Sequence, residues 1–338
     1  MSLFWVKWAV ACTTSLTSMG YQPCWKKEPS QPARHLQGKC HAFFQKTSQR
    51  CRKGKKAEFC QSREWGKLES TVVSDKQYYV SDQEEVRVYR DLVLDCGNQG
   101  EARFTISLPE HIPSEGIPCI IIVGGLKTGR ESLQFIPNHG NYALVGYEYP
   151  QKLRHLQKID LLWHFFSVRK TLFHVPTQIL SMAQYLAAQP WIDGEPISIM
   201  GYSFGSIFVP VTYVDADCRK MALGPGVMAY GGAGIRCLIR ANFPGPRWIK
   251  SIAANCGEKL FRPIDPIDYA PAMKGNFLMI NGIYDTQVPL SCAHCLQDLV
   301  PKPKTVINLE TQHMSPENTE LTLKLIRLSR NWLDENRK

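Results

Sequence analysis

The pattern of apolar and polar positions changes character along the chain. Up to about residue 70 there is no sustained periodicity and there are many breakers. Beyond it, apolar positions fall into short, ordered blocks. Residues 86–96 (VRVYRDLVLDC) read as a strand with mixed faces, and residues 102–110 (ARFTISLPE) alternate as its antiparallel partner. Gly97-Asn98-Gln99-Gly100 supplies the turn between them. Residues 118–125 (PCIIIVGG) and 142–150 (YALVGYEYP) hold continuous apolar runs, the pattern of strands covered on both faces in a largely parallel sheet. A helix is predicted from about Pro176 to Gln189, with Ile179, Leu180, Ala183 and Leu186 on one face and the proline in its first turn.

The alternation continues downstream. Residues 196–214 predict strand, sharp turn and helix, with Pro210 kinking that helix several residues in. Residues 219–226 (RKMALGPG) predict a short strand. Residues 227–273 are irregular, hold Phe243, Trp248, Phe261 and Tyr269, and are expected to cap a site, their aromatics forming walls of an apolar pocket. Strands follow at 276–285 and 304–313, and helices at 290–299 and about 317–336. The last helix carries Leu321, Leu325, Ile326, Leu328 and Trp332 on its apolar face. A hairpin followed by alternating strands and helices predicts an α/β sheet, mostly parallel, with helices on both faces. The expected organisation is a basic, cysteine-containing extension over 1–70 and a layered domain over 71–338, with a cap insertion at 227–273.

Composition sharpens this division. The chain has 338 residues, 44% hydrophobic and 21% charged, enough to bury a large core. No apolar run approaches the roughly 20 residues that a membrane-spanning helix needs. The net charge of +10 sits almost wholly in residues 1–70, which carry 13 Lys and Arg against four Glu. Arg50, Arg52, Lys53, Lys55 and Lys56 form its densest run. Such a segment suits an anionic surface or serves as a solvated tail, and no nucleic-acid-binding fingerprint accompanies it. The start, MSLFWVKWAVAC, lacks the basic opening of a secretory signal. Its A-V-A-C resembles a degraded lipoprotein box that would be lipidated at Cys12. Two readings stand: export, with peripheral membrane association through the N-terminus, or a cytoplasmic chain. Cys24, Cys40, Cys51 and Cys60 match no zinc spacing and are either disulfide-paired or free thiols. Cys292 and Cys295 make one CxxC, read as a structural pair before a redox one.

One constellation carries chemistry. Gly201-Tyr202-Ser203-Phe204-Gly205 is a G-x-S-x-G placed between a strand and a helix. That context defines a nucleophile elbow, which lifts Ser203 Oγ above the sheet and needs glycine on both sides for close backbone approach. Asp285 and His313 each lie at the end of a predicted strand, in the chain order Ser, Asp, His. His313 would take the serine proton, and Asp285 would fix its tautomer and stabilise the imidazolium. The bland readings are a turn-capping carboxylate and a surface histidine. The order of all three residues, each at a strand end, favours the catalytic one. Oxyanion donors are expected from the backbone of Phe204 and of Leu126, with Gly125 the second choice in the Val123-Gly124-Gly125-Leu126-Lys127 loop. Lys127, Arg130, Arg236 and Arg240 are read first as solvated surface residues and second as contacts to an acidic substrate group.

These segments resemble the α/β-hydrolase superfamily over about residues 85–335. The resemblance rests on VGGLK after the first parallel strand, GYSFGS at the elbow, NGIYDTQVP at the acid loop and TQHMSP at the histidine loop. PIDPIDYAPAM, residues 263–273, is similar to the stretch that leads into the acid strand of the family's esterases and peptidases. The departures are the missing histidine before Gly124-Gly125, Ser206 where Gly or Ala is frequent, and Met314 after His313. The resemblance implies an acyl-enzyme hydrolase that needs no metal or organic cofactor and acts on a small molecule or short peptide. A carboxylic ester is the first expectation and a chain-end peptide the second. A third reading, from outside enzymology, is a non-catalytic hydrolase fold bearing a basic surface-binding tail. In that case Ser203, Asp285 and His313 would not converge, or a side chain would plug the pocket.

Overall fold

The computed structural model describes residues 68–81, 86–154 and 160–337. The basic run, the four front cysteines and the Cys12 motif lie outside the described residues. Nine strands form one sheet: β1 (Thr71–Ser81), β2 (Val86–Asp95), β3 (Glu101–Pro109), β4 (Cys119–Val123), β5 (Ala143–Glu148), β6 (Ser198–Tyr202), β7 (Gly226–Ala229), β8 (Phe277–Gly282) and β9 (Lys304–Leu309). Their spatial order is β1-β2-β3-β5-β4-β6-β7-β8-β9. β1 to β3 run antiparallel, β3 joins β5 antiparallel, and every later pairing is parallel. The helices are α1 (Gln151–Arg154), α2 (Asp160–Ala187), α3 (Phe208–Cys218), α4 (Ile235–Asn242), α5 (Arg247–Phe261), α6 (Pro266–Tyr269), α7 (Leu290–Leu299) and α8 (Thr319–Asn336).

The continuous apolar runs became the central strands, as their two-sided burial requires. All residues of β4, β5, β6, β7 and β8 are buried. One face of the sheet packs against α2, α3 and the helices after β7, around Phe104, Ile121, Phe208 and Phe277. The other face closes under the 3-10 turn Gly129–Phe135 and α8, around Ile122, Tyr202, Leu278 and Leu325. Both sides of the parallel sheet are therefore covered, which is how such sheets avoid exposing apolar strands.

Four expectations need correction. β1 was not foreseen: TVVSDKQYYVS is a mostly exposed edge strand, with Val73 and Tyr79 60% and 66% exposed. A strand of that kind buries too little for its apolar positions to show alternation. Pro176 lies inside the 28-residue α2 rather than in a first turn. Leu172 and Val175 before it and Ile179 and Met182 after it are all buried on the same core. That packing carries the helix across a missing hydrogen bond and a crowded carbonyl, a disruption worth about 3 kcal/mol. Pro210 is the third residue of α3, because the turn Ser203–Ile207 precedes the helix proper. At a first-turn position its absent N–H costs nothing. Finally, the strand placed at 219–226 starts only at Gly226, so residues 227–229 belong to the sheet and not to a cap. With four residues and glycines on both sides, β7 is too short to register as a period.

The helical excursion between β7 and β8 is fastened by one carboxylate. Asp265 is 2% exposed and accepts from the backbone N–H groups of Gly234 (2.9 Å), Ile235 (2.7 Å) and Ile267 (3.1 Å). It thereby caps α6 and holds the first turn of α4. Asp265→Ala strands three buried donors, each costing about 1–3 kcal/mol. The expected loss, measured by urea unfolding, is about 3 kcal/mol or more. Burial pushes the Asp265 carboxyl up to about 6 despite those three donors. Because the folded state then holds this proton more tightly than the unfolded chain, the group's contribution falls as pH rises from about 4 to about 6. Relative to Asp265→Asn, which does not titrate, the native protein should lose up to about 3 kcal/mol across that window. A pH-independent difference between the two proteins would contradict this assignment.

Candidate active site

The elbow is built by close approach. Ser203 has φ 51°, a left-handed conformation rare for a residue with a side chain. A Cβ at Gly201 would sit 2.5 Å from the Val209 side chain, and one at Gly205 would sit 1.8 Å from the Val123 carbonyl oxygen. Both glycines are therefore obligatory. The second shows that the elbow rests directly on the end of β4. Ser206 Oγ donates to the Ser203 carbonyl oxygen at 2.6 Å and closes the turn. That bond gives a use to the residue found where Gly or Ala was expected.

Three separated stretches meet at this point. Ser203 Oγ lies 2.8 Å from His313 Nε2, and His313 Nδ1 lies 2.6 Å from Asp285 Oδ2. The side chains of His313 and Asp285 are 4% and 1% exposed. An ionised carboxylate only accepts, so Nδ1 carries the proton and Nε2 offers its lone pair to the serine hydroxyl. Asp285 is itself held. Its Oδ1 accepts from the backbone N–H of Gln287 (2.7 Å) and Val288 (2.9 Å). The two loops are stitched together by Ile283 N–H to Leu309 O and Tyr284 N–H to Thr311 O.

Tyr230 was not singled out in the sequence, and it supports the histidine. It follows β7 with φ 55° and is fully buried. Its ring stands edge-on to His313 at 5.4 Å, and its hydroxyl shares a 2.5 Å hydrogen bond with Thr311 Oγ1. Nothing in the MAYGG segment signals this, because the role arises from β7 lying beside β8. The loop after β4 is also fixed from outside. Tyr149 Oη donates to the Gly124 carbonyl at 2.8 Å, while Thr128 Oγ1 and Gly129 N–H both donate to the Gly125 carbonyl at 3.0 Å. Phe204 packs at a tilt against Tyr149 and edge-on against Phe208.

Two of the four cationic residues weighed as substrate contacts are paired elsewhere. Arg130 bridges Asp91 and Glu148, and Arg236 faces Glu258. Nor do the aromatics of the excursion behave as expected for pocket walls. Phe243, Phe261 and Tyr269 are buried in the core, and Trp248 is 65% exposed. An apolar cavity of about 60 Å³ lies instead on the opposite face of the sheet. Ile122, Gly125, Phe135, Tyr202, Met314 and Leu325 line it. It touches the residue before the nucleophile, the loop after β4 and the residue after His313.

Nine strands in this order, an elbow serine after β6, an acid after β8 and a histidine after β9 define an α/β-hydrolase fold carrying a Ser-His-Asp triad. Known structures show the same fold. Acetyl xylan esterase 1 from Thermoanaerobacterium sp. JW/SL YS485 is similar over 84% of this chain and 92% of its own, at 13% identity and a TM-score of 0.55. An acetyl xylan esterase from Paenibacillus sp. R4 is similar over 91% and 97%, at 16% identity and a TM-score of 0.53. A puromycin-hydrolyzing peptidase of Mycobacterium tuberculosis is similar over 76% of this chain but only 40% of its own, at 14% identity and a TM-score of 0.55. No family model and no curated protein sequence matches.

Proposed function

We propose that this protein is a serine hydrolase that cleaves small carboxylic esters through an acyl-enzyme. The observation that carries the reading is the unbroken Ser203–His313–Asp285 relay on a strained elbow. Ser203 Oγ attacks the ester carbonyl while His313 Nε2 takes its proton. His313 then returns that proton to the leaving alcohol and activates water for deacylation. The backbone N–H groups of Leu126 and Phe204, with Gly125 as the alternative, receive the oxyanion. This assignment is supported by the Gly124 and Gly125 carbonyls being held by Tyr149, Thr128 and Gly129. In a trans peptide the Leu126 N–H points opposite to the Gly125 carbonyl, away from that side of the loop.

One observation favours an ester over a peptide: the chain aligns with nearly the whole length of the two acetyl xylan esterases, 92% and 97% of those chains. Turnover of p-nitrophenyl acetate, butyrate and decanoate against aminoacyl p-nitroanilides tests the reading. The short esters should exceed the anilides in kcat/KM by at least about 100-fold, a margin of roughly 3 kcal/mol in transition-state binding. Preference for the anilides would move the protein to the peptidase class.

A further inference from the structure

The sequence drew attention to Cys292 and Cys295, but the fold gives Cys292 a different partner. Cys292 Sγ lies 2.6 Å from Sγ of Cys237, 55 residues earlier. Cys237 is in the first turn of α4 and Cys292 in the first turn of α7. The junction is tied by other bonds as well. Ala233 N–H donates to the Cys292 carbonyl at 3.0 Å, and Asn242 Nδ2 donates to the Gln287 carbonyl at 2.6 Å. Gln287 and Val288 are the residues whose N–H groups hold the catalytic carboxylate. The thiol pair therefore sits where the excursion rests on the acid loop.

We propose that Cys237 and Cys292 form a reversible dithiol–disulfide centre, oxidised by a low-molecular-weight disulfide, that staples α4 to α7 beside the catalytic acid. The two sulfurs need approach by only about half an ångström to reach a bond of about 2.05 Å. Their surroundings divide the labour. Cys237 is partly exposed, and hydrogen bonds from Cys292 and Ser291, together with the Arg240 guanidinium, lower its thiol against the opposing effect of burial. Cys292 is buried and pushed up by its bond to Cys237 and by desolvation. The accessible thiolate is thus the attacking group and the buried thiol the resolving one.

The Cys237 thiolate attacks one sulfur of the small disulfide, whose S–S bond breaks. A mixed disulfide forms on Cys237, and the released thiolate takes up a proton. The Cys292 thiol then loses its proton to solvent and attacks Cys237 Sγ, which expels the second small thiol. Two protein thiols are oxidised, one small disulfide is reduced to two thiols, and a reducing pool reverses the sequence. Cys295 shares α7 with Cys292 at a spacing of three residues but is not the partner, since the Cys292 sulfur faces α4.

The test uses the full chain equilibrated with oxidised and reduced glutathione at several ratios, quenched in acid, alkylated and mapped by mass spectrometry. At oxidising ratios a peptide pair joined through Cys237 and Cys292 should appear, lighter by two hydrogens than the free peptides. Exposed Cys256 serves as a site that remains open to alkylation or glutathionylation. Cys295→Ser should retain the cross-link. Cys292→Ser should abolish it and leave Cys237 carrying glutathione. Amide exchange in residues 235–242 should slow at least several-fold on oxidation of the native protein and stay unchanged in Cys237→Ser. Recovery of Cys237 and Cys292 as alkylated thiols at every ratio, or a Cys292–Cys295 bond, overturns the proposal. Equal exchange rates in the two redox states overturn the staple. None of these readouts depends on hydrolytic activity, so they stand or fall separately from the ester assignment.

Discussion

Ser203→Ala is expected to lower ester turnover by at least about 10⁴-fold and to abolish labelling by a fluorophosphonate probe. The hydroxyl oxygen is the atom that would bond to the substrate, and the base within its reach among the described residues is His313 Nε2 at 2.8 Å. His313→Ala should cost a comparable factor, and the double variant little more than either single one. Serine and histidine act as one unit, and removing either leaves only the residual catalysis of oxyanion binding. Single-turnover kinetics on p-nitrophenyl acetate with the three variants gives the comparison. Additive losses, or probe labelling that survives Ser203→Ala, would show that another nucleophile is at work. Circular dichroism on each variant checks that the fold is kept.

Asp285→Asn should lower kcat by about 10⁴-fold with little effect on KM. The reason lies in which oxygen does what. Oδ1 accepts two backbone N–H groups and Oδ2 accepts His313 Nδ1–H. An asparagine must keep its carbonyl toward the two backbone donors, so its amide NH₂ turns to the histidine. Nδ1 then has to accept, the proton moves to Nε2, and the imidazole confronts the serine with a donor instead of a lone pair. Asp285→Ala removes both functions and should also destabilise the acid loop. The gap between the two variants in urea unfolding measures the turn, and the loss they share in kcat measures the tautomer. A kcat within tenfold of the native value in Asp285→Asn would exclude this role for the carboxylate.

Legibility followed burial and local geometry. The segment 276–285 was readable as a strand because β8 is buried on both faces, and 290–299 as a helix because proline and a turn bracket it. The elbow was readable because close backbone contacts at Gly201 and Gly205 admit only glycine. The misreadings share a cause. β1 pairs along ten residues yet stays solvent-facing, so its hydrogen bonds leave little trace in residue type. The α2 proline misled because its cost is local while its compensation, a core lined by residues on both sides of it, is not. The excursion's aromatics were assigned to a pocket, but composition does not tell a wall from a core.

By itself the chain determined the layered class, the site of the nucleophile and the order of its two partners, because each depends on residues within a few positions of one another. Only the tertiary structure decided that Ser203, His313 and Asp285 touch, that Tyr230 supports the imidazole, and that Cys292 faces Cys237 rather than its CxxC neighbour. Those contacts join residues 28 to 110 positions apart. They are set by strand order and register, which arise from the packing of the whole sheet and leave no mark at any single position.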